Sequence, residues 1–540
     1  MKNKWRWINK SWPYLAILLG AVIWSRYFII QYDPAQGLNV GDSIYTLDLA
    51  QIGREVSRGH GLATKFIRPV ALRFNSDLLH FPELTYPPLY PLVLGVAIKY
   101  LGDRDLTLVL VSAFFFWAVV PLLWYLAGRF AGRPAAALVV LLYIANPISL
   151  RYSVNGGPVT FSACLSLLFL FFLFRSESEG SLWLPAAGLI AGLAYLTRYG
   201  YGLWIIPGGL LLWLNPRPGR GRRLGLFLAG FILPLIPWLI RNLVVVGNPF
   251  FTLQGFKPAM FTASAPGHLL WRGFSADSLQ VPRRLYFIVR KVLVNFRESY
   301  LDILFLTGNF AGVFTIAAVL HRFRHRALDN LKYCLYLMVV LEAAYFSLFR
   351  PSWNGRAAFL PGAVLVAGVF LAELLKERSR RARVFLMSFF IILCLIPISD
   401  KFSARKYPRR RLYHLDNIRA VSRCLPAGAL LVSDIPWACA WYGDRTCLWL
   451  PYRVSDYEEI KIYHAPPTAG FYLTEFYFSQ FYPGGERSPD WKKVYQTGWI
   501  PGGWGLKHKN RLPGGQIYIS RDPYPCPGQS PGEEEEESKL

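Results

Sequence analysis

Residues 106–126 read LTLVLVSAFFFWAVVPLLWYL, a run of 21 residues without a charged side chain. A helix needs about 20 apolar residues to cross the hydrocarbon layer of a membrane. Comparable runs recur along the whole chain, and the sequence therefore predicts an all-α polytopic membrane protein with about eleven transmembrane helices. The other predicted spans cover residues 12–30, 135–150, 159–174, 182–196, 201–214, 224–240, 303–320, 333–348, 357–375 and 384–398.

The composition excludes an ordinary soluble protein. Of the 540 residues, 53% are hydrophobic and 16% are aromatic, and the mean hydropathy is +0.28. The first apolar run follows four basic residues and is not followed by a small-residue cleavage site. It is therefore predicted to be a retained anchor rather than a cleaved signal peptide.

The net charge of +26 is distributed over short loops. Basic clusters follow predicted helices at 129–133, 217–223, 322–326 and 376–383, which the positive-inside rule assigns to the cytoplasm together with the N-terminus. Eleven spans fit this topology if residues 87–100 form an interfacial helix on the outer face instead of crossing. Contact with membrane lipids is expected, whereas nucleic-acid binding is not, because the charge is not gathered on one face.

Three regions are predicted. Residues 1–399 form a transmembrane domain whose first outer loop covers 32–105, residues 400–525 form an extracytoplasmic α/β domain, and residues 526–540 form a disordered acidic tail. Strands at 429–433, 447–450 and 470–474 alternate with helices at 435–442 and 455–463 in the second region, which is typical of a small α/β unit. Four cysteines lie after residue 399, and both disulfides and free buried thiols are open for them: Cys424, Cys439, Cys447 and Cys526.

The first outer loop carries the clearest candidate for chemistry. Residues 39–45 read NVGDSIY, and residues 44–58 have a helical apolar stripe that ends at Gly59 and Gly61. This amphipathic helix is expected to lie on the membrane surface. Asp42 would then stand near its N-cap, where it either accepts backbone hydrogen bonds or serves as a general base. Aromatic and acidic residues follow in HFPE at 80–83 and TYPPLYP at 85–91.

The order of these motifs resembles the glycosyltransferase C superfamily. The opening GDSIY, the later GHG and the YPPLYP turn resemble bacterial protein O-mannosyltransferase-like proteins and lipid A aminoarabinose transferases. Further segments with the same resemblance read AGLAYLTR at 191–198, PWLIRN at 237–242 with GNP at 247–249, NGRAAFLP at 354–361, and DIPW at 434–437 with WY at 441–442 and WLP at 449–451.

The resemblance implies an integral membrane glycosyltransferase. It implies a sugar linked to a polyprenyl phosphate as donor, an acceptor hydroxyl on a lipid, glycan or protein, and inverting transfer at the outer face of the plasma or inner membrane. Asp42 corresponds to the catalytic base. The residues expected to bind substrate are Tyr45, Glu83, Tyr86, Arg198, Arg241 and Arg356. The three arginines stand at predicted outer helix ends, where they either hold the donor phosphate or extend to the membrane interface.

The sequence departs from the family pattern at two places. Many relatives have an acidic residue in the second outer loop, which here reads RYSVNGGP at 151–158. Asn155 still offers a carbonyl oxygen, but a divalent metal is doubtful, and no other cofactor is indicated. Mannosyltransferase relatives often have glutamate where this chain has Ser43.

Two other classes of function fit the composition. A transporter or lipid flippase also has many apolar helices, although such proteins tend to show inverted repeats and broken helices, and no repeat is visible here. A membrane scaffold with an outer binding domain would leave Asp42 without a role.

Overall fold

The computed structural model describes residues 2–34, 37–38, 43–215, 217–279, 285–304, 307–349, 353–402, 414–426, 428–464, 468–478, 489–497 and 504–521. The chain divides into two units. The membrane unit comprises Met1–Thr46, Tyr86–Phe250 and Val289–Arg409, and the sheet unit comprises Leu47–Thr85, Phe251–Ile288 and Arg410–Leu540. Much of the first outer loop therefore belongs to the same unit as the region after residue 409.

The prediction of a polytopic helical protein is confirmed. Six helices among the described residues are long and apolar enough to cross a membrane, or up to seven if the pair Arg133–Ile144 and Pro147–Ser153, bent by 62°, counts as one span. Shorter apolar helices cover Leu89–Leu101, Ser181–Thr197 and Tyr199–Leu214. The six are Tyr14–Gln31, Asp105–Ala131, Val159–Ser178, Arg220–Val246, Ala357–Lys376 and Arg381–Ser399.

The predicted span at 303–320 is wrong as a single helix. One helix covers Leu285–Leu304 and a short one covers Ala311–Ala317. Between them Gly308 has a φ of 61°, a left-handed backbone conformation that ends an α-helix. The following helix, Arg326–Ser347, lies where a span was predicted.

Small residues bring helices of the membrane unit into close contact. A Cβ added to Gly188 would lie 2.0 Å from the carbonyl oxygen of Phe227, and one added to Gly230 would lie 2.2 Å from that of Pro185. The Leu184–Thr197 and Arg220–Ile232 helices thus touch through their backbones. Such packing is typical of helices in membranes, where small residues at the interface replace the hydrophobic driving force.

The sheet unit is built on six strands in the order β1-β3-β2-β4-β6-β5. The first four pair in parallel, while β6 is antiparallel to both β4 and β5. Helices Leu415–Arg423, Pro436–Tyr442, Val454–His464 and Pro489–Thr497 alternate with the strands, which confirms the predicted small α/β region. The strands are β1 Phe66–Ile67, β2 Leu430–Ser433, β3 Cys447–Trp449, β4 Thr468–Leu473, β5 His508–Leu512 and β6 Gln516–Ser520.

The edge strand β1 comes from the first outer loop. Phe66 pairs with Cys447 and Ile67 with Leu448, although these partners are separated by most of the chain. Among the cysteines of this unit, Cys424 is disulfide-bonded, whereas Cys439 and Cys447 are free buried thiols. Both outcomes left open by the sequence therefore occur.

Candidate functional site

The helix that follows Asp42 covers Ser43–Ser57, close to the predicted residues 44–58. It is followed by Gly59 with a φ of 85° and Gly61 with a φ of 68°, as expected for its end. Asp42 itself lies outside the described residues. The helix begins at Ser43, the next residue in the chain. In the sequence, Asp42 therefore directly precedes the N-terminal end of the helix.

The helix is more deeply buried than its amphipathic pattern indicated, and its placement on the membrane surface stays a prediction. Its side chains are buried from Thr46 to Glu55 on every face, because its polar residues have partners inside the sheet unit. Asp48 forms a buried ion pair with Arg68 at 2.5 Å. Arg54 donates hydrogen bonds to the carbonyl oxygens of Ala440 and Trp441 at 3.1 and 2.7 Å. The helix is thus a packed element that fixes the residues directly after Asp42.

The first turn of the helix contacts the second outer loop within the membrane unit. A Cβ added to Gly156 would lie 3.0 Å from Cγ2 of Thr46, and one added to Gly157 would lie 3.0 Å from its Oγ1. The hydroxyl of Tyr90 donates to the carbonyl oxygen of Gly156 at 2.8 Å. The two glycines therefore let this loop approach the side chain of Thr46, four residues after Asp42.

Asn155 in the same loop serves its own turn. Its Oδ1 atom accepts a hydrogen bond from the backbone N–H of Gly157 at 2.9 Å. Within the described residues, which leave out Asp42, no group of three or more His, Cys, Asp and Glu side chains is placed to hold a metal ion. That a divalent metal site is doubtful therefore stays a prediction from the sequence.

Two of the predicted substrate-binding aromatic residues lie together. The rings of Tyr45 and Tyr86 are 5.2 Å apart in an edge-to-face arrangement, a geometry that is favourable for aromatic pairs. Tyr45 lies three residues after Asp42 and is among the side chains that surround Arg198. The first turn of the helix is thereby linked to one of the predicted phosphate ligands.

Two of the three predicted arginines belong to one buried cluster. A Cβ added to Gly355 would lie 3.1 Å from Nη1 of Arg198 and 2.7 Å from Oε1 of Glu342. The charge of Glu342 interacts with both Arg198 and Arg356. We call these four residues, Arg198, Glu342, Gly355 and Arg356, the arginine cluster.

Neighbouring side chains hold the two guanidinium groups in place. Arg198 lies over the ring of Phe346, 4.1 Å from its centroid. Arg356 is fully buried and donates from Nη2 to Oγ of Ser299 at 2.9 Å. The hydroxyl of Tyr201 donates to the carbonyl oxygen of Gly355 at 3.1 Å. Arg356 is buried and Arg198 is half-buried, and two neighbouring cations of this kind are suited to bind a phosphate group.

The other two predicted residues have contacts elsewhere. Arg241 bonds to Asn242 at 3.1 Å and lies 4.9 Å from the ring centroid of Trp238. Glu83 belongs to the sheet unit, where its Oε1 atom accepts the backbone N–H of Thr85 at 2.5 Å. Neither contact joins them to the arginine cluster, and their roles stay predictions.

Sequence reasoning missed Glu342. It lies in the run LYLMVVLEAAYFSLF at 335–349, where it is the single charged residue. An ionisable residue inside an apolar helix is costly and is by default a candidate for function. This signal was available, but Glu342 lies outside the quoted motifs, the nearest of which begins at Asn354.

The chain is similar to known proteins in part of its sequence and in its fold. Residues 85–240 match the family model described as dolichyl-phosphate-mannose-protein mannosyltransferase. No curated protein matches the chain by sequence.

Three solved structures have a similar fold. ArnT from Cupriavidus metallidurans in the apo state has a TM-score of 0.60 at 13% identity, over 96% of this chain and 100% of that one. ArnT bound to undecaprenyl phosphate gives 0.58 at 14% identity, over 96% and 99%. The archaeal oligosaccharyltransferase AglB from Archaeoglobus fulgidus, in complex with an inhibitory peptide and a dolichol-phosphate, gives 0.57 at 12% identity, over 97% and 76%. The resemblance seen in the motifs is therefore confirmed: part of this multi-pass membrane chain matches a glycosyltransferase family model, and its fold is like that of ArnT and AglB.

Proposed function

We propose that the protein is an integral membrane glycosyltransferase. It moves a sugar from a polyprenyl-phosphate donor to an acceptor hydroxyl at the outer membrane face, with inversion at the anomeric carbon. The observation that carries the proposal is the arginine cluster, in which Arg198 and Arg356 come together although 157 residues separate them in the sequence. That ArnT binds undecaprenyl phosphate and AglB a dolichol-phosphate within this fold supports the same class of donor.

The arginine cluster supplies what the leaving group requires. When the bond from the anomeric carbon to the phosphate oxygen breaks, negative charge develops on the phosphate. Preorganised cations stabilise such a charge most strongly where water is excluded. Arg198 and Arg356 are placed to do this without a separate general acid.

Asp42 supplies the base in this proposal. The acceptor hydroxyl must lose a proton as its oxygen attacks the anomeric carbon, and one carboxylate is sufficient for that step. The Ser43–Ser57 helix, packed on all sides, holds the backbone immediately after this residue. Tyr45 and Tyr86 provide an aromatic surface for the sugar or the first isoprene units.

We also place the sheet unit outside the cytoplasm. Disulfides persist in oxidising compartments and are rare in the cytosol, and Cys424 of this unit is disulfide-bonded. The basic loops of the membrane unit support the same orientation.

The test of the function uses purified protein in liposomes with a panel of radiolabelled polyprenyl-phosphate sugars. Label is followed into the lipid, glycan and polypeptide fractions. We expect transfer by the wild type and a loss of about 10²–10⁴-fold in rate for Asp42→Asn. Asparagine caps a helix about as well as aspartate, so this variant is expected to fold normally and still bind the donor.

The matched control is Asp77→Asn. Asp77 is an exposed carboxylate in the same loop that accepts the backbone N–H groups of Leu79 and His80, and its replacement is expected to leave the rate unchanged. Asp42→Glu should retain a small activity, because the carboxylate survives but is displaced by about 1 Å. Wild-type turnover in Asp42→Asn would show that Asp42 is only a helix cap.

A further inference from the structure

Glu342 is a buried carboxylate that accepts no hydrogen bond from the described residues. It is 1% exposed and lies within the Arg326–Ser347 helix. Both of its carboxylate oxygens are buried without a hydrogen-bond donor. A buried charge is stable only when it is compensated, and the compensation here comes from the charges of Arg198 and Arg356.

This arrangement differs from an ordinary structural ion pair. Buried ion pairs normally combine charge attraction with hydrogen bonds that fix the geometry, as Asp48 and Arg68 do in the sheet unit. Glu342 makes no such bond, and Arg356 is held by Ser299 instead. The carboxylate therefore affects the charge of the arginine cluster more than it fixes the geometry of the two guanidinium groups. With Glu342 ionised, two guanidinium groups and one carboxylate give the cluster a net charge of +1.

The charge of the lipid phosphate changes during the proposed reaction. The donor is a phosphodiester with one negative charge. On transfer, the bond between the anomeric carbon and the phosphate oxygen breaks, and its electron pair stays on that oxygen. The acceptor oxygen forms the new bond to the anomeric carbon, and its proton goes to the carboxylate of Asp42. The lipid product is a phosphate monoester, whose charge near pH 7 is about −1.5 to −2.

We propose that the negative charge of Glu342 adjusts the arginine cluster to the monoanionic donor and promotes release of the dianionic lipid phosphate. Glu342 is thus a positioning residue that acts through Arg198 and Arg356. The inference rests on the proposed function, because it requires that the cluster binds a lipid phosphate. Without Glu342 the cluster would carry about +2 and would hold the product more strongly. With ionised Glu342, the donor neutralises the cluster, and the negative charge of the product exceeds the cluster charge by about half to one unit.

The test compares two ligands that differ only in phosphate charge. Farnesyl phosphate represents the dianionic product, and its methyl diester represents the monoanionic donor. Binding of both to the detergent-solubilised full-length protein is measured by calorimetry at pH 8, for the wild type and for Glu342→Gln. Because charge attraction scales with the ligand charge, we expect the ratio of monoester to diester affinity to rise about tenfold in Glu342→Gln.

Four further measurements separate the explanations. Glu342→Asp keeps the charge and is expected to keep the wild-type ratio, while thermal unfolding checks that each variant is folded. The matched control is Glu373→Gln, which removes a carboxylate of the neighbouring Ala357–Lys376 stretch that pairs with His321 at 2.9 Å, and its ratio should equal that of the wild type. Turnover by Glu342→Gln should show stronger inhibition by added farnesyl phosphate.

Two results would overturn the inference, and they are distinguishable. An unchanged affinity ratio in a folded Glu342→Gln protein would mean that the carboxylate does not discriminate between the two charges, while the phosphate site and the proposed function stand. Failure of the folded wild type to bind either ligand would remove the phosphate site itself, and with it the proposed function.

Discussion

Gly355 has no space for a side chain, because the ring of Phe346 and the carboxylate of Glu342 both lie within 2.7 Å of the position of a Cβ atom. Gly355→Ala must therefore displace members of the arginine cluster. We expect a loss of about 10–100-fold in kcat/KM, since a shift of about 1 Å in a positioning group has effects of this size. Gly225→Ala is the control, because a Cβ at Gly225 meets nothing within 4 Å. Equal rates for the two variants would argue against a role for the cluster.

Arg356 allows a second prediction at the same scale. Arg356→Ala should remove roughly 2–4 kcal/mol of transition-state stabilisation, as measured by kcat/KM, if the guanidinium binds the departing phosphate. Lysine should restore only part of this, because an ammonium group lacks the planar pair of donors. Arg129→Ala, which changes an exposed arginine, is expected to be neutral. Full activity of Arg356→Ala would reduce this residue to a structural partner of Ser299.

At the residue scale, the sequence identified those members of the site that carry motifs. Arg198 and Arg356 stand in recognisable segments, and the structure joins them through Glu342. Glu342 itself has no motif, and its role depends on a contact between distant helices that no local pattern encodes. Arg241 stands in an equally clear motif, but its contacts are with Trp238 and Asn242.

At the scale of elements, the bounds of the helix after Asp42 were predicted to within one residue, but its burial within the protein was not. Its apolar stripe and its terminal glycines determine where it begins and ends. Its polar residues suggested solvent, yet Asp48, Gln51 and Arg54 are buried by specific partners. Periodicity reports on local geometry, whereas the burial of a charged residue depends on which distant residue pairs with it.

Asp444 gives a prediction for the end of this helix. It accepts hydrogen bonds from Arg58 at 2.8 and 2.9 Å and from Lys65 at 2.6 Å. Burial by itself would raise the pKa of Asp444, but these hydrogen bonds and the nearby charge of Arg54 hold the pKa below its ordinary value. The stabilisation is therefore present above the unfolded-state value of about 3.9 and is lost as the pH falls through the lower folded-state pKa.

We expect Asp444→Asn to lower the free energy of unfolding by about 1 kcal/mol at pH 7, a value kept small because the side chain is 44% exposed and its ion pairs are screened by solvent. The difference from the wild type should narrow below about pH 4. Thermal unfolding in detergent at several pH values measures both the loss of stability at pH 7 and its decrease at low pH. Asp416→Asn is the control, because its carboxylate is 98% exposed and only 3.9 Å from Arg419. A difference that stays constant with pH would contradict the linkage.

At the scale of the whole molecule, apolar runs predicted a polytopic protein and strand–helix alternation predicted the small α/β region. The sequence did not reveal that residues 47–85 and 251–288 belong to the same unit as that region. The reason is physical: β1 is only two residues long, and so short a strand has no periodic signal. Its pairing with β3 is determined by tertiary contacts alone.

The orientation of the chain provides a prediction at this scale. Reporter fusions at residue 410 and within the 217–223 loop should report opposite sides of the membrane, because the loop is basic and is expected in the cytoplasm. A fusion in the 129–133 loop is the matched reference for the cytoplasmic side. The same side for residue 410 and the 217–223 loop would contradict the extracytoplasmic placement of the sheet unit.

The pairing of β1 with β3 also sets a schedule for biosynthesis. Phe66 is made long before its partner Cys447, and at about 5–20 residues per second the ribosome needs roughly 20–80 s to cover the interval. During that time strand β1 has no partner strand, and an unpaired strand edge favours association with other chains. We therefore expect the first loop to depend on protection until Cys447 has been made, and translation products that end before Cys447 to be more susceptible to proteolysis.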